Sequence, residues 1–81
     1  MEGTMKLGIT YCTSWGYRAK AASLAGILKN EFGIEDIILT PSSGGAFDVV
    51  LNGQTVFSKH REGRFPKVGE VEGKVASLLG R

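Results

Sequence analysis

The stretch MKLGITYCTSWGY, residues 5–17, decides the fold, because its apolar residues change from the spacing of a strand to that of a helix. Apolar residues alternate with polar or small ones as far as Tyr11, which predicts a strand with one buried face. From Tyr17 onward the apolar residues have helical spacing, and this predicts a helix over about residues 15–31. Between the two patterns lie two hydroxyl side chains suited to a helix N-cap, Thr13 and Ser14.

Cys12 is the only cysteine, and these patterns place it on a strand-to-helix turn. The N–H groups and the positive dipole end that open a helix favour a thiolate, and such surroundings lower a thiol pKa from ~8.5 to roughly 3.5–7.5. Free cysteine is also among the most buried residue types, so an inert core thiol is the competing interpretation. The expected position at a helix start favours a reactive thiol.

The composition predicts a single soluble domain over residues 1–81, of which residues 1–4 are expected to be disordered. Hydrophobic residues make up 42% and charged residues 22% of the chain. Because the sequence shows neither a signal-peptide pattern nor an apolar run of ~18 residues, we expect a cytoplasmic protein with no membrane partner. A net charge of +2 gives little reason to expect nucleic acid, and one cysteine with one histidine is too few for a structural zinc site.

Three further strands are predicted after the first helix. A short apolar run predicts an interior strand at residues 36–40, which Pro41 is expected to end. Residues 46–51 and 54–58 are typical of two strands, and the Asn-Gly pair between them suits the type I′ turn of a hairpin. In that register the core face carries Phe47, Val49, Leu51 and Val56. Two residues point away from the helices and are candidates for a partner surface, Asp48 and Phe57.

The end of the chain is expected to be a charged loop over residues 59–64 followed by a last helix. Pro66 is suited to the first turn of that helix, whose apolar face is predicted to carry Val68, Val71, Val75, Leu78 and Leu79. The predicted order β-α-β-β-β-α defines an α/β fold with a four-stranded mixed sheet. A right-handed crossover makes the first two strands parallel, and both helices are expected on one face of the sheet.

Several separated stretches together resemble the selenoprotein W family. They are YCTSW with the Gly-Tyr pair after it, PSSGGAFDV at residues 41–49, the Asn-Gly turn, and SKHREGRFP at residues 58–66. The resemblance implies a thioredoxin-like fold with a Cys-x-x-selenocysteine or Cys-x-x-Cys motif after the first strand. It also implies thiol or selenol chemistry in cell redox homeostasis. Cys12 matches the first motif position and Trp15 stands at the second, so the resemblance makes these the two catalytic positions.

Trp15 departs from the family pattern, because an indole can neither attack a disulfide nor be reduced. Under one interpretation selenocysteine is the natural residue, and its UGA codon has been read or changed as tryptophan, since UGA and UGG differ by one base. Under the other, tryptophan is natural and the protein is a monothiol or non-catalytic relative. The first is favoured, because a packing reason for an indole here is not evident; an ordinary half-buried aromatic is its structural alternative. Whether the protein is an enzyme stays open, because the chain as written lacks the second redox residue.

The candidate substrate-binding residues come from two loops, by analogy with thioredoxin-like folds, and are Thr13, Ser14, Ser43, Gly44 and Gly45. The Ser-Gly segment lacks the lysine and the following helix of a P-loop, so it is interpreted as a turn. The resemblance implies glutathione or protein thiols and disulfides as partners, with glutathione as the candidate reductant and no resident cofactor.

Three further expectations complete the sequence-based picture. A monomer or weak dimer is expected. For His60, a solvated side chain is favoured over a proton shuttle or an anion contact. The alternative function is a module that binds a protein partner without redox turnover.

Overall fold

The secondary structure follows the predicted order, with one short helix added. The computed structural model describes residues 5–80, so the prediction for residues 1–4 lies outside the described residues. The elements are β1 (Lys6–Cys12), α1 (Tyr17–Phe32), β2 (Asp36–Ser42), β3 (Phe47–Leu51), β4 (Gln54–Ser58), α2 (Lys59–Glu62) and α3 (Glu70–Leu78). Helix α2 occupies the segment that was expected to be a charged loop. In the part of the chain described here, no helix combines the length and the apolar character that crossing a membrane requires.

The four strands form one mixed sheet in the order β2-β1-β3-β4. Strand β1 is parallel to β2 and antiparallel to β3, and β3 and β4 form the predicted hairpin. The prediction that β2 is an interior strand is wrong, because β2 lies at the sheet edge and Ile38 is 62% exposed. The prediction that Pro41 ends the strand is also wrong, since Pro41 pairs with Tyr11 inside β2. An edge strand tolerates proline because its missing N–H can face solvent.

The core lies on one face of the sheet, where both long helices pack. From the sheet it takes Leu7, Ile9, Phe47, Val49 and Leu51, and from the helices Ala21, Ala25, Leu28, Phe32, Val71 and Val75. All belong to one continuous cluster, which confirms that α1 and α3 share a face. Burying one large aliphatic or aromatic side chain contributes about 1.5–3 kcal/mol to folding, so this face supplies most of the stability.

A β-bulge in β4 overturns one predicted side-chain direction. Val49 pairs with Phe57 and Val50 pairs with Thr55, so Val56 is an extra residue between them. An extra residue breaks the alternation of the strand, and both Val56 and Phe57 are buried. The prediction that Phe57 belongs to an outer partner surface is therefore wrong. Asp48 alternates with buried residues of β3 and lies on the outer face as predicted.

Glycines with positive φ set the helix ends. The N-cap of α1 is Gly16, with a φ of 90° and no side-chain cap, so the prediction of Thr13 or Ser14 as the cap is wrong. The predicted C-cap of α1 is confirmed, since Gly33 has a φ of 69° and donates its N–H to the Lys29 carbonyl. The predicted type I′ hairpin turn is also consistent with the structure, since both of its residues have positive φ.

The last helix begins later than predicted. Helix α3 starts at Glu70, after Gly69 with a φ of 79°, so Pro66 precedes the helix by four residues. The Glu70 carboxylate accepts hydrogen bonds from the Arg64 guanidinium and from the Lys67 N–H, and these bonds order the loop that leads into α3. Val68 lies on this loop fully exposed, so its predicted place on the apolar helix face is wrong.

Candidate functional site

The sheet topology brings two loops together at the end of β1. Strands β2 and β3 are both neighbours of β1, so the connection between them crosses the carboxyl end of β1, where Cys12 lies. The Cys12 N–H donates to the Ala46 carbonyl at 2.7 Å, and the Thr13 N–H donates to the Ser42 carbonyl at 3.1 Å. We call residues 12–16 and 42–46 the thiol loops. In α/β folds, binding sites commonly lie at the carboxyl end of a strand, where connections to the neighbouring strands on its two sides come together.

Polar groups surround the Cys12 sulfur. Its Sγ lies 3.1 Å from Ser14 Oγ and 3.4 Å from the Ser14 backbone nitrogen. In the thiolate form the hydroxyl and the N–H both donate to the sulfur. The Ser14 side chain, followed by the backbone N–H groups of Ser14 and Gly45, holds the Cys12 pKa below its ordinary value. Burial opposes this effect, and the N–H of Ala46 makes a smaller contribution in the lowering direction.

The predicted source of the thiol activation is corrected by this geometry. Helix α1 begins at Tyr17, five residues after the cysteine, and none of the groups that lower the Cys12 pKa belongs to α1. The donors come instead from the turn after β1 and from the loop before β3. A neutral hydroxyl and neutral N–H groups therefore lower the Cys12 pKa, in place of the helix start that the sequence predicted.

The sulfur belongs to a buried residue that is followed in the chain by exposed ones. Cys12 is 4% exposed, whereas Thr13, Ser14 and Trp15 beside it are all exposed. Burial alone would favour the inert-thiol interpretation, but hydrogen-bond donors of Ser14 and Gly45 face the sulfur.

Trp15 extends into solvent. Its side chain is 99% exposed, and it has no hydrogen bond or ring contact with another described residue. The structural alternative of a half-buried aromatic is therefore wrong. An indole in this position contributes no packing energy to the fold.

The predicted binding residues are brought together only in part. Ser14 and Gly45 face the sulfur, whereas Ser43 is exposed and is not among the groups that act on the Cys12 pKa. Gly44 and Gly45 have φ values of 71° and 75°, which explains why glycine stands at both positions. Ala46 was missed as a site residue, because a backbone donor leaves no signature in a side-chain pattern.

An aromatic and basic cluster beside the thiol loops was also missed. Phe65 packs against Tyr17 and Phe47, with ring centroids 4.9 and 5.3 Å apart. The ammonium groups of Lys20 and Lys59 lie 4.9 and 5.5 Å from the centroid of the Phe65 ring. The sequence signal was the Phe-Pro pair at residues 65–66, of which the sequence patterns placed only the proline, in the first turn of the last helix. We call Tyr17, Phe65, Lys20 and Lys59 the lysine cluster.

His60 was a further candidate. It is exposed on α2, and no hydrogen bond, ion pair or ring contact joins it to the thiol loops in the described part of the chain. Within residues 5–80, no three His, Cys, Asp or Glu side chains come together in a group that could hold a metal ion. The hydrogen-bond donors directed at Cys12 support nucleophilic chemistry at one sulfur.

Fold and site together define a class, a small thioredoxin-like α/β domain with a cysteine at the carboxyl end of its first strand and hydrogen-bond donors directed at its sulfur. The model of the Rdx family matches residues 6–77, and the chain belongs to this family. Selenoprotein W of the zebrafish Danio rerio is 41% identical over 59 residues, which cover 69% of each chain. The resemblance to the selenoprotein W family is thereby confirmed.

Two mammalian relatives carry a different name, Migration and invasion enhancer 1. The mouse protein is 38% identical over 58 residues, or 72% of this chain, and the bovine protein is 34% identical over 62 residues, or 76% of this chain. The matched regions make up 50% and 54% of those proteins, so the chain spans about half their length.

Solved structures confirm the fold. A selenoprotein W-related protein from Vibrio cholerae superposes with a TM-score of 0.86 at 28% identity, covering 95% of this chain and 99% of that one. A protein from Bordetella parapertussis gives a TM-score of 0.86 at 27% identity, covering 94% and 99%. The whole described sheet and its helices are thus those of a selenoprotein W-like domain.

Proposed function

We propose that this protein is a thiol or selenol redox protein that acts on disulfides through Cys12 and position 15. Membership of the Rdx family gives a redox-related role in general terms. The observation that carries the finer proposal is the set of donors around the Cys12 sulfur, which favours the thiolate, the form that attacks disulfides.

The reaction at Cys12 is an exchange of sulfur partners. The thiolate attacks one sulfur of a disulfide, a new S–S bond forms, and the old S–S bond breaks. The released sulfur leaves as a thiolate and takes a proton from water. The product is a mixed disulfide between Cys12 and one half of the substrate.

Position 15 would complete the cycle in the natural protein, where we propose selenocysteine. A selenolate at this position attacks the Cys12 sulfur of the mixed disulfide and releases the second half of the substrate as a thiol. Two molecules of glutathione or of another thiol then reduce the resulting S–Se bond and leave as their own disulfide. The full exposure of Trp15 supports this proposal, because the fold has no packing use for the indole. A UGG codon at this position in the native gene would contradict it.

A Trp15→Cys variant tests the proposed pair directly. We expect this variant to form an internal disulfide with Cys12 on mild oxidation, seen as a loss of two hydrogens in the mass and of both free thiols. The matched control is Trp15→Ser, which keeps a small polar residue but offers no second sulfur. If Trp15→Cys yields only mixed or intermolecular disulfides, the two positions do not work as a redox pair.

The second candidate function is a module that binds a protein partner without turnover. The 4% exposure of Cys12 and the exposed indole beside it favour this alternative. Cys12→Ser separates the two, because it removes the redox reaction but leaves an interaction surface in place. A cellular phenotype that survives this change supports binding, and a phenotype that is lost supports redox chemistry. The cytoplasmic location stays a prediction.

A further inference from the structure

The lysine cluster carries two positive charges that are not neutralised within the described structure. In residues 5–80 no carboxylate oxygen lies within 4.0 Å of the ammonium group of Lys20 or Lys59; the ion pairs found there involve Arg64, Lys74 and Glu70. Both lysines instead direct their ammonium groups at aromatic rings, and Lys59 also lies 5.8 Å from the Tyr17 centroid. Two like charges on one ring repel each other, so an anion that binds between or beside them is favoured.

The cluster adjoins the thiol loops through Gly45. A Cβ atom added at Gly45 would lie 3.4 Å from the Tyr17 hydroxyl oxygen and 3.9 Å from Lys59 Nζ. The N–H of the same residue faces the Cys12 sulfur. Gly45 therefore lies next to the Cys12 sulfur on one side and to the ammonium group of Lys59, a half-buried residue, on the other.

Lys59 does not serve to activate the thiol. Every group that lowers the Cys12 pKa is a hydroxyl or a backbone N–H, and no charged side chain contributes. The ammonium lies beside Gly45, whose N–H faces the sulfur, but it is not itself paired with the sulfur. This leaves its charge available for the substrate.

We propose that Lys20 and Lys59 form an anion subsite beside Cys12 that selects disulfides with a carboxylate close to the reacting sulfur. The proposal rests on the disulfide exchange proposed above for Cys12. The lysines are specificity residues in that exchange. They bind the carboxylate of the half that becomes joined to Cys12, while the sulfur atoms exchange as already described.

The test compares three small disulfides that differ in charge: dithiodipropionate, hydroxyethyl disulfide and cystamine, which are anionic, neutral and cationic. The rate of mixed-disulfide formation at Cys12 is followed by intact mass. In Lys20→Gln/Lys59→Gln we expect the rate ratio of the anionic to the neutral disulfide to fall about fivefold, and that of the cationic to the neutral disulfide to rise. The control is Lys29→Gln on the same helix, about 13 Å along the axis from Lys20, which should leave both ratios unchanged.

Two outcomes distinguish the two proposals. Suppose that Cys12 reacts with hydroxyethyl disulfide, but that the rate ratios of the anionic and cationic disulfides to the neutral one are the same in the double variant as in the Lys29→Gln protein. The subsite is then contradicted and the redox function stands. If Cys12 reacts with none of the three disulfides, the redox function fails and the subsite fails with it. Lys20→Arg/Lys59→Arg should retain the preference for the anion. Should the glutamine variant not fold, raising the salt concentration on the unmodified protein must lower the same ratio; an unchanged ratio overturns the proposal.

Discussion

The thiol loops and the loop at residues 63–70 stabilise an anion by different means. In the second loop the Glu70 carboxylate is 18% exposed, and the Arg64 guanidinium holds it with two hydrogen bonds of 2.7 and 3.0 Å. In the thiol loops the sulfur is held by one hydroxyl and by backbone N–H groups, with no charged partner. A bidentate ion pair fixes both of its members in place, whereas neutral dipoles favour the thiolate without binding it to a cation. The first arrangement serves structure, and the second leaves the sulfur without a charged partner.

The difference also explains how the basic residues divide. Arg64 is paired with Glu70 and orders the loop before α3, while Lys74 pairs with the same carboxylate within α3. Lys20 and Lys59 lie over Phe65 without a carboxylate partner in the described part of the chain. Phe65 itself follows Arg64 in the chain and packs on Tyr17, so it joins the two regions.

Loss of the Phe65 ring should have the largest effect on stability, because this ring joins the loop at residues 63–70 to the side of the thiol loops. We expect Phe65→Ala to lower the free energy of unfolding by about 2 kcal/mol, since the half-buried ring packs against two other rings. For a domain of this size the melting temperature then falls by roughly 8–16 °C. Thermal unfolding followed by circular dichroism measures this, with Phe65→Leu as a control that keeps most of the buried area. An unchanged melting temperature in Phe65→Ala would contradict a stabilising role for the packing of this ring.

Removal of the Glu70 charge should have the next largest effect, and it should depend on pH. Arg64 and the Lys67 N–H hold the pKa of Glu70 at about 2, below its ordinary 4.5. Because the pKa of Glu70 is lowered in the folded protein, the ionised carboxylate contributes its full stabilisation above pH 4.5. This contribution is lost as the pH falls from 4.5 through 2. We therefore expect Glu70→Gln to melt at a lower temperature than the unmodified protein at pH 7, and the gap to close near pH 2.

The control for this prediction is Glu72→Gln, on the same helix, where no ion pair is found among the described residues. It should melt close to the unmodified protein at both pH values. If Glu70→Gln melts below the unmodified protein by the same amount at pH 7 and at pH 2, the Glu70 charge does not stabilise the fold.

The smallest of these effects is expected at Ser14. Ser14→Ala removes the hydroxyl that contributes most to lowering the Cys12 pKa but keeps the backbone N–H, so the pKa should rise only part of the way to that of a free thiol. The pH dependence of thiol alkylation measures it. Thr13→Ala is the matched control, because its exposed side chain has no hydrogen bond to the sulfur. Equal profiles for the two variants would mean that the Ser14 hydroxyl does not act on the thiol.

The sequence predicted the elements well where one periodic pattern dominated. The alternation before Tyr11 and the helical spacing after Tyr17 placed β1 and α1 correctly, and the Asn-Gly pair placed the hairpin. Errors arose where tertiary pairing decided the outcome. Proline at position 41 is compatible with β2 only because β2 is an edge strand, and the burial of Phe57 depends on a bulge that no local pattern shows.

The sequence singled out Cys12 as the candidate residue but did not predict the groups around it. Cys12 could be chosen because it is the single cysteine at a change of period. The donors that act on it are backbone groups of Gly45 and Ala46, brought in from a distant loop, and backbone donors leave no trace in residue type. The lysine cluster was missed for a similar reason. Lys20 of α1 and Lys59 of α2 are far apart in the sequence and are brought together only at the Phe65 ring.

The most direct test of the central claim is the rate of Cys12 alkylation by iodoacetamide as a function of pH in the folded protein. The thiol loops should place the midpoint of this profile below that of the same thiol in the protein unfolded by urea, because the Ser14 and Gly45 donors exist only in the fold. A folded midpoint at or above the unfolded one would contradict the claim that the loops activate this sulfur.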